Sequence, residues 1–140
     1  MKAGTGTVCA LALAVVITCL EELDVYQKAL VAADEVSKLL EREAFKKDTR
    51  LRQQLGASSE RVPSLIAEGF PLKTDRHFAS YLYQSKGSSS ETRTQLRVAL
   101  GRKYLTSDEL KKHSERYVEI EKMLTGLIHH LNLEDRQQRG

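Results

Sequence analysis

Between Leu51 and Gly69, apolar and small residues fall at Leu51, Leu55, Ser58, Val62, Leu65 and Gly69, in strictly alternating steps of four and three. That spacing stacks side chains on one face of an α-helix, whereas a strand, with its period of two, would scatter them over both faces. The seam therefore demands a helix with a partner along its whole length. Asp48 supplies an N-cap. Pro63 removes a backbone donor and frees the carbonyl of Ser59, which predicts a kink that the hydroxyls of Ser58 and Ser59 help to satisfy. Gly69 is expected to take the left-handed cap, with Pro71 forbidding continuation.

Three more blocks repeat the helical period. Leu23, Tyr26, Leu30, Ala33, Leu40 and Ala44 trace one face, widened by Val36 and Leu39, and predict a first helix of about 22 residues. The third block reads Phe78, Leu82, Ser85, Ser89, Thr92, Leu96 and Ala99. Its centre, Gly87-Ser88-Ser89-Ser90, consists of poor helix formers. Such a run is tolerated where a neighbouring backbone packs close, so Gly87 is expected at a tight approach. The fourth opens on Thr106-Ser107-Asp108-Glu109, a capping box, and continues through Leu110, His113, Tyr117, Ile120, Leu124, Leu127 and Leu131. Four amphipathic helices on short connections predict an all-α fold, an up-down-up-down four-helix bundle, whose left hand is implied by the family resemblance described below. Val31, Val36, Met123 and Ile128 exceed a single seam, a surplus that predicts a subunit interface.

At 140 residues the chain is long enough for one shared core and too short for two. The expected layout is a hydrophobic extension over 1–20, the bundle over 21–133 and a polar tail over 134–140. Within the extension, Val8 to Leu20 is apolar except for Thr18, shorter than the roughly 20 residues that span a bilayer. It reads as a secretory signal, a lipoprotein signal, or a helical or disordered extension, for which a start codon assigned too early is one origin. A cytoplasmic location is expected, with export left open by this segment. Both cysteines, Cys9 and Cys19, precede the part read as folded, so no disulfide framework or metal cluster is implied.

Several stretches together resemble a known family. They are Leu23-Asp24-Val25-Tyr26-Gln27-Lys28-Ala29, Gln54-Leu55, Val62-Pro63-Ser64 and Ile66-Ala67-Glu68-Gly69-Phe70, then Lys86-Gly87-Ser88 with Glu91, Thr94-Gln95-Leu96, Lys122-Met123-Leu124 and Gly126-Leu127-Ile128. They resemble the four-helix-bundle proteins encoded in intervening sequences of bacterial 23S ribosomal RNA genes, over about residues 21 to 131. The resemblance implies a ring-like homopentamer. It also brings in a relative, the accessory protein of diversity-generating retroelements, which is basic and works with RNA and a reverse transcriptase. Gly56, Ala57 and Ser58 stand where that family usually places two basic residues and an alanine, and Leu65 replaces its asparagine. Glu68 is expected to pair with an arginine, the alternative being an ordinary residue of the last helical turn.

No residue pattern points to catalysis. The residues three before His77, His113, His129 and His130 are Thr74, Leu110, Gly126 and Leu127, so the Glu-x-x-His pairs of a di-iron bundle are absent. His113 is expected to be a satisfied interior or interface histidine. The chain is read as a non-enzyme without a cofactor, metal or small-molecule substrate. Charge is the remaining lead. Glu21 to Phe45 sums to −4 and Lys46 to Lys103 to +7. Lys46, Lys47, Arg50, Arg52 and Arg61 on the second helix and its approach, with Arg93, Arg97, Arg102 and Lys103 late in the third, are the candidate RNA-binding residues. Arg93 and Arg97, four apart, are expected to present paired guanidinium groups to a phosphate backbone. The competing reading is a solvated face on a structural or protein-interaction bundle with no nucleic-acid partner.

Overall fold

A computed structural model of the chain describes residues 19–71 and 74–140. They form a 3-10 turn, Leu20–Glu22, and five helices: α1 (Asp24–Leu39), α2 (Glu43–Lys47), α3 (Thr49–Gly69), α4 (Asp75–Gly101) and α5 (Ser107–Arg139). No strand occurs among the described residues, and the expected all-α class holds. The signal-like readings fall almost wholly on residues outside the description. Cys19 is disulfide-bonded.

Each of the four long helices packs on two others, α1 and α4 both lying against α3 and α5, so all four share one core. Lys28 meets Glu119, Glu35 meets Arg116 and Arg42 meets Glu109, in opposite chain order, so α1 and α5 run antiparallel. Contacts of Val62 with Ser85, Ser58 with Thr92 and Gln54 with Gln95 show the same for α3 and α4.

The first helix is shorter than its periodicity predicts. It ends at Leu39, and a tight turn, with Glu41 N–H donating to the Lys38 carbonyl and Arg42 N–H to that of Leu39, leads into the short α2. The turn redirects the chain so that Phe45 becomes fully buried, edge-on to Tyr104 with ring centroids 5.3 Å apart. The buried face is also rotated. Val25, Ala29, Ala32, Val36 and Leu39 line the core, while Leu30 is exposed and Tyr26, Ala33 and Ala44 are half-buried. Alanines at 29 and 32 let α1 approach its neighbours closely, although they carry little hydrophobic signal in the sequence. Val36 and Ile128 are likewise core residues, so the surplus expected at a subunit interface reduces to exposed Val31 and half-buried Met123, with Leu30 beside them.

Across α3, α4 and α5 the expected seams are buried almost throughout, only Leu65, Leu110 and Leu127 being half-buried. Asp48 caps α3 and Thr106 with Glu109 forms the capping box. The helix runs continuously through buried Pro63, and the hydroxyls of Ser58 and Ser59 donate to the carbonyls of Leu55 and Gly56 rather than to the one the proline frees. A layer of buried hydroxyls joins α3 to α4: Ser85 Oγ donates to the Val62 carbonyl at 2.7 Å, and Thr92 Oγ1 to Ser58 Oγ at 2.9 Å. Serine and threonine satisfied in this way allow two backbones to come near without an uncompensated polar group.

Two glycines exchange their expected roles. Gly69 is not in the left-handed region, and α3 ends instead with Phe70 N–H donating to the Ile66 carbonyl. A Cβ at Gly69 would lie 2.6 Å from the Tyr81 Cβ, so Gly69 is where α3 and α4 approach most tightly. Gly87 is exposed, with open space where its Cβ would be, because the hydroxyl layer lies on the other side of α4. Gly69→Ala is therefore expected to destabilise the chain by roughly 1–3 kcal/mol through overpacking, and Gly87→Ala to stabilise it by roughly 0.5–1 kcal/mol through helix propensity. Urea melts of the two variants decide this, and equal effects would contradict the assignment of the close approach to Gly69.

Candidate nucleic-acid interface

The basic residues are organised by Asp48. Its Oδ1 accepts from Leu51 N–H at the start of α3, and its Oδ2 accepts from Arg102 Nη1 at 2.6 Å and from the Tyr104 hydroxyl at 2.8 Å. Hydrogen bonding from Tyr104 first, then from Leu51 and Arg102, holds the Asp48 carboxyl below its ordinary range. The same bond raises the Tyr104 phenol. One carboxylate thus ties the start of α3 to the α4–α5 connection, and the Phe45–Tyr104 ring contact seals the joint.

Lys46, Lys47 and Arg50 lie within two residues of that carboxylate, and Lys103 lies between its two partners. All four are exposed and make no ion pair among the described residues. Lys103 sits at φ 64°, with its N–H donating to the Leu100 carbonyl and the Tyr104 N–H to that of Ala99. This is the Schellman closure of a helix with lysine at the left-handed position where glycine is usual.

The other candidates divide by their partners. Arg52 donates from Nε to the Leu40 carbonyl at 3.0 Å and pairs with Glu41 at 3.3 Å. Arg61 pairs with Glu91 at 2.7 Å. Arg93 makes a two-pronged contact with Glu121, at 2.7 and 2.8 Å, and Ser89 Oγ also donates to that carboxylate at 2.7 Å. With Glu121 only 14% exposed, Arg93 clamps α4 to α5 and does not form a guanidinium pair with exposed, unpaired Arg97. Glu68, expected to meet an arginine, is exposed and unpaired among the described residues. It is an ordinary residue of the last turn.

Two features escaped sequence reasoning. Arg42 donates from Nη1 to the Tyr104 carbonyl at 3.2 Å and grips Glu109 through both terminal nitrogens. Exposed Lys111 and Lys112 follow at the start of α5. Only Glu109 had a visible signal, as part of the capping box. Among the described residues no cluster of three or more His, Cys, Asp or Glu converges as a metal site, and no helix is long and apolar enough to cross a membrane.

Helices alone, packed about one core with cations gathered at a joint between connections, define a helical-bundle protein. The chain belongs to the 23S rRNA-intervening sequence protein family, whose model matches residues 21–126. Among solved structures it is similar to a protein of unknown function from the S23 ribosomal protein family of Bacteroides thetaiotaomicron, with 22% identity and a TM-score of 0.69. The match covers 74% of this chain and 97% of that one, a likeness of fold. No curated protein matches the chain.

The Arg42 grip, reinforced by the Thr106 backbone N–H, lowers the Glu109 carboxyl from 4.5 to about 2. A carboxylate lowered on folding contributes stability above its unfolded value, and that contribution is lost as pH falls from 4.5 towards 2. The pair is about a third exposed, so the loss is expected to be no more than about 1 kcal/mol. Arg42→Gln should flatten the acid dependence of stability in this window, read from urea melts at several pH values; an unchanged slope would separate Glu109 from acid sensitivity.

Proposed function

We propose that this protein is a non-enzymatic, RNA-associated accessory protein of the cytoplasm, built as a left-handed up-down-up-down bundle over residues 21–133. Its cationic joint contacts nucleic-acid backbone independently of sequence. The carrying observation is the set Lys46, Lys47, Arg50 and Lys103, exposed, unpaired and held around the Asp48 joint. Exposed cations free of carboxylate partners can replace condensed counterions along a phosphate chain, which is the source of non-specific affinity. Lys103 strengthens the reading, because a lysine held at positive φ accepts strain that glycine would avoid. Arg97 adds a further unpaired cation late in α4, while Arg52, Arg61, Arg93 and Arg102 serve chiefly as structural pairs. Assembly as a homopentamer would multiply the field of one modest patch around an axis. Exposed Leu30 and Val31 on α1 are the apolar residues available to such an assembly. A reverse transcriptase is a fitting protein partner.

A structural bundle acting through assembly alone is the second reading. It is favoured by the pairing of four of the nine candidate cations with carboxylates.

Single-stranded RNA titrated at several salt concentrations tests the proposal. Replacing Lys46, Lys47, Arg50 and Lys103 with Gln is expected to weaken binding and to reduce the log–log salt slope by roughly 0.7 for each phosphate no longer neutralised. Arg61→Gln should leave the slope nearly unchanged. Light scattering coupled to size exclusion should give a mass near five chains for both variants. Absence of RNA binding at low salt by the wild-type chain would leave assembly as the role, and a clean monomer at micromolar concentration would remove the pentamer.

A further inference from the structure

Apart from the Asp48 joint, α1 and α5 enclose a cavity of about 210 Å³ between two matching stripes. From α1 come Glu35, Lys38 and Leu39, from the turn that follows it Arg42, and from α5 Glu109, Lys112, His113 and Arg116. Glu35, Lys38 and Leu39 share one face of α1, and Glu109, Lys112, His113 and Arg116 one face of α5, so the two faces meet with their polar groups between them. Four cations against two carboxylates leave an excess of +2 with His113 neutral.

The carboxylates are already engaged. Glu35 accepts from Lys38 at 2.7 Å and lies 3.7 Å from Arg116, while Glu109 is gripped by Arg42. The donors are not. His113, 93% buried, has no partner for Nδ1, and Arg116 has a buried Nη1 without a partner. Lys112 makes no ion pair among the described residues. A buried guanidinium N–H and a buried imidazole nitrogen left unpaired beside an excess of positive charge are costly, and an oxyanion would satisfy the first and, in the Nδ1–H tautomer, the second.

From this we infer that the α1–α5 cavity is a binding site for a phosphate-class oxyanion, held by Lys112 Nζ and, after a side-chain rotation that uncovers them, by Arg116 Nη1 and His113 Nδ1. His113 donates in its Nδ1–H tautomer. Burial, and then the nearby Arg116, keep the imidazole below its ordinary range. A bound dianion opposes both effects, so occupancy should also favour protonation of His113. Glu35 and Glu109 set the limit on selectivity: tied to Lys38 and Arg42 they stay ionised, disfavouring larger polyanions that would crowd them. The inference is independent of the RNA reading, because none of its three ligands belongs to the Asp48 joint.

The test uses the full chain with isotopically labelled histidine, following the His113 ring signals by NMR during titration with inorganic phosphate. Sulfate and adenosine monophosphate form parallel arms, and chloride at matched ionic strength is the control. Saturable shifts with phosphate, absent with chloride, together with a raised His113 titration midpoint, are expected. A response to phosphate and sulfate alone identifies a free ion, whereas tighter binding of the nucleotide identifies a phosphate monoester; either supports the site. Arg116→Gln should weaken phosphate by roughly tenfold or more, the effect of one charge-assisted hydrogen bond. Exposed Lys112→Gln, whose fold is least at risk, should weaken it about threefold. Ring signals that follow ionic strength alike in phosphate and chloride, or variants that bind as tightly as the parent, would overturn the inference and leave the cavity to water.

Discussion

The close approach of α3 and α4 is the constraint on which the rest of the structure depends. Gly69 against Tyr81, and the buried hydroxyls of Ser58, Ser85 and Thr92, bring two backbones together where larger side chains would hold them apart. Because every hydroxyl in that layer has an acceptor, the hydrogen bonds offset the cost of desolvating them and make the contact directional, unlike a purely aliphatic seam. Its register then propagates to both ends. At one end, Gln54 faces Gln95 and Asp48 meets Arg102; at the other, Gly69 rests on the first turns of α4. A slip of one helical turn would strand those hydroxyls beside aliphatic partners and pull Asp48 away from Tyr104.

The basic end follows from that register. Asp48 can cap α3 and receive Arg102 and Tyr104 together only when the start of α3 and the end of α4 lie level. One negative charge is thereby consumed within the protein, and Lys46, Lys47, Arg50 and Lys103 are left around it without carboxylates of their own. The same geometry explains why the count of basic residues is a poor measure of a binding surface. Arg93 is as basic as Arg97, yet Glu121 and Ser89 hold it between α4 and α5. Membership of the 23S rRNA-intervening sequence protein family rests on residues 21–126 of the bundle, whereas any contact with RNA has to be made by the cations that the fold leaves free.

The sequence made the long helices legible because their seams are long, periodic and mostly apolar, and because Asp48 and Thr106 are strong caps. It did not show the end of α1 at Leu39, since the period continues through Leu40 and Ala44 while the chain turns to bury Phe45. Ala29 and Ala32 were hidden for a related reason: a residue chosen to let a neighbour come close is small, and hydrophobic patterning passes over small residues. Gly69 and Gly87 illustrate the limit of local chemistry. One follows an apolar run before a proline and the other lies among serines, yet only the opposing helix decides which is crowded. The nine candidate cations were visible as residues, but their separation into free and paired groups depends on contacts such as Arg61 with Glu91, 30 positions apart, which no local pattern encodes.

The α1–α5 face shows how an ionic surface can become a site. Exposed pairs such as Lys28–Glu119 satisfy each other in solvent and contribute little. Further along, the same two helices place His113 beside Arg116 and Lys112, and burial changes the balance. The charged ends of Lys38, Arg42 and Lys112 stay in contact with solvent, whereas His113 and the inner nitrogen of Arg116 lose the hydration they would have at the surface. The pairs Arg42–Glu109 and Lys38–Glu35 then act as a frame, since they neutralise the carboxylates that would compete for the free donors. The position of the cavity on α1 and α5, away from the hydroxyl layer of α3 and α4, separates the part of the bundle that sets its register from the part whose polar groups are left to be satisfied from outside.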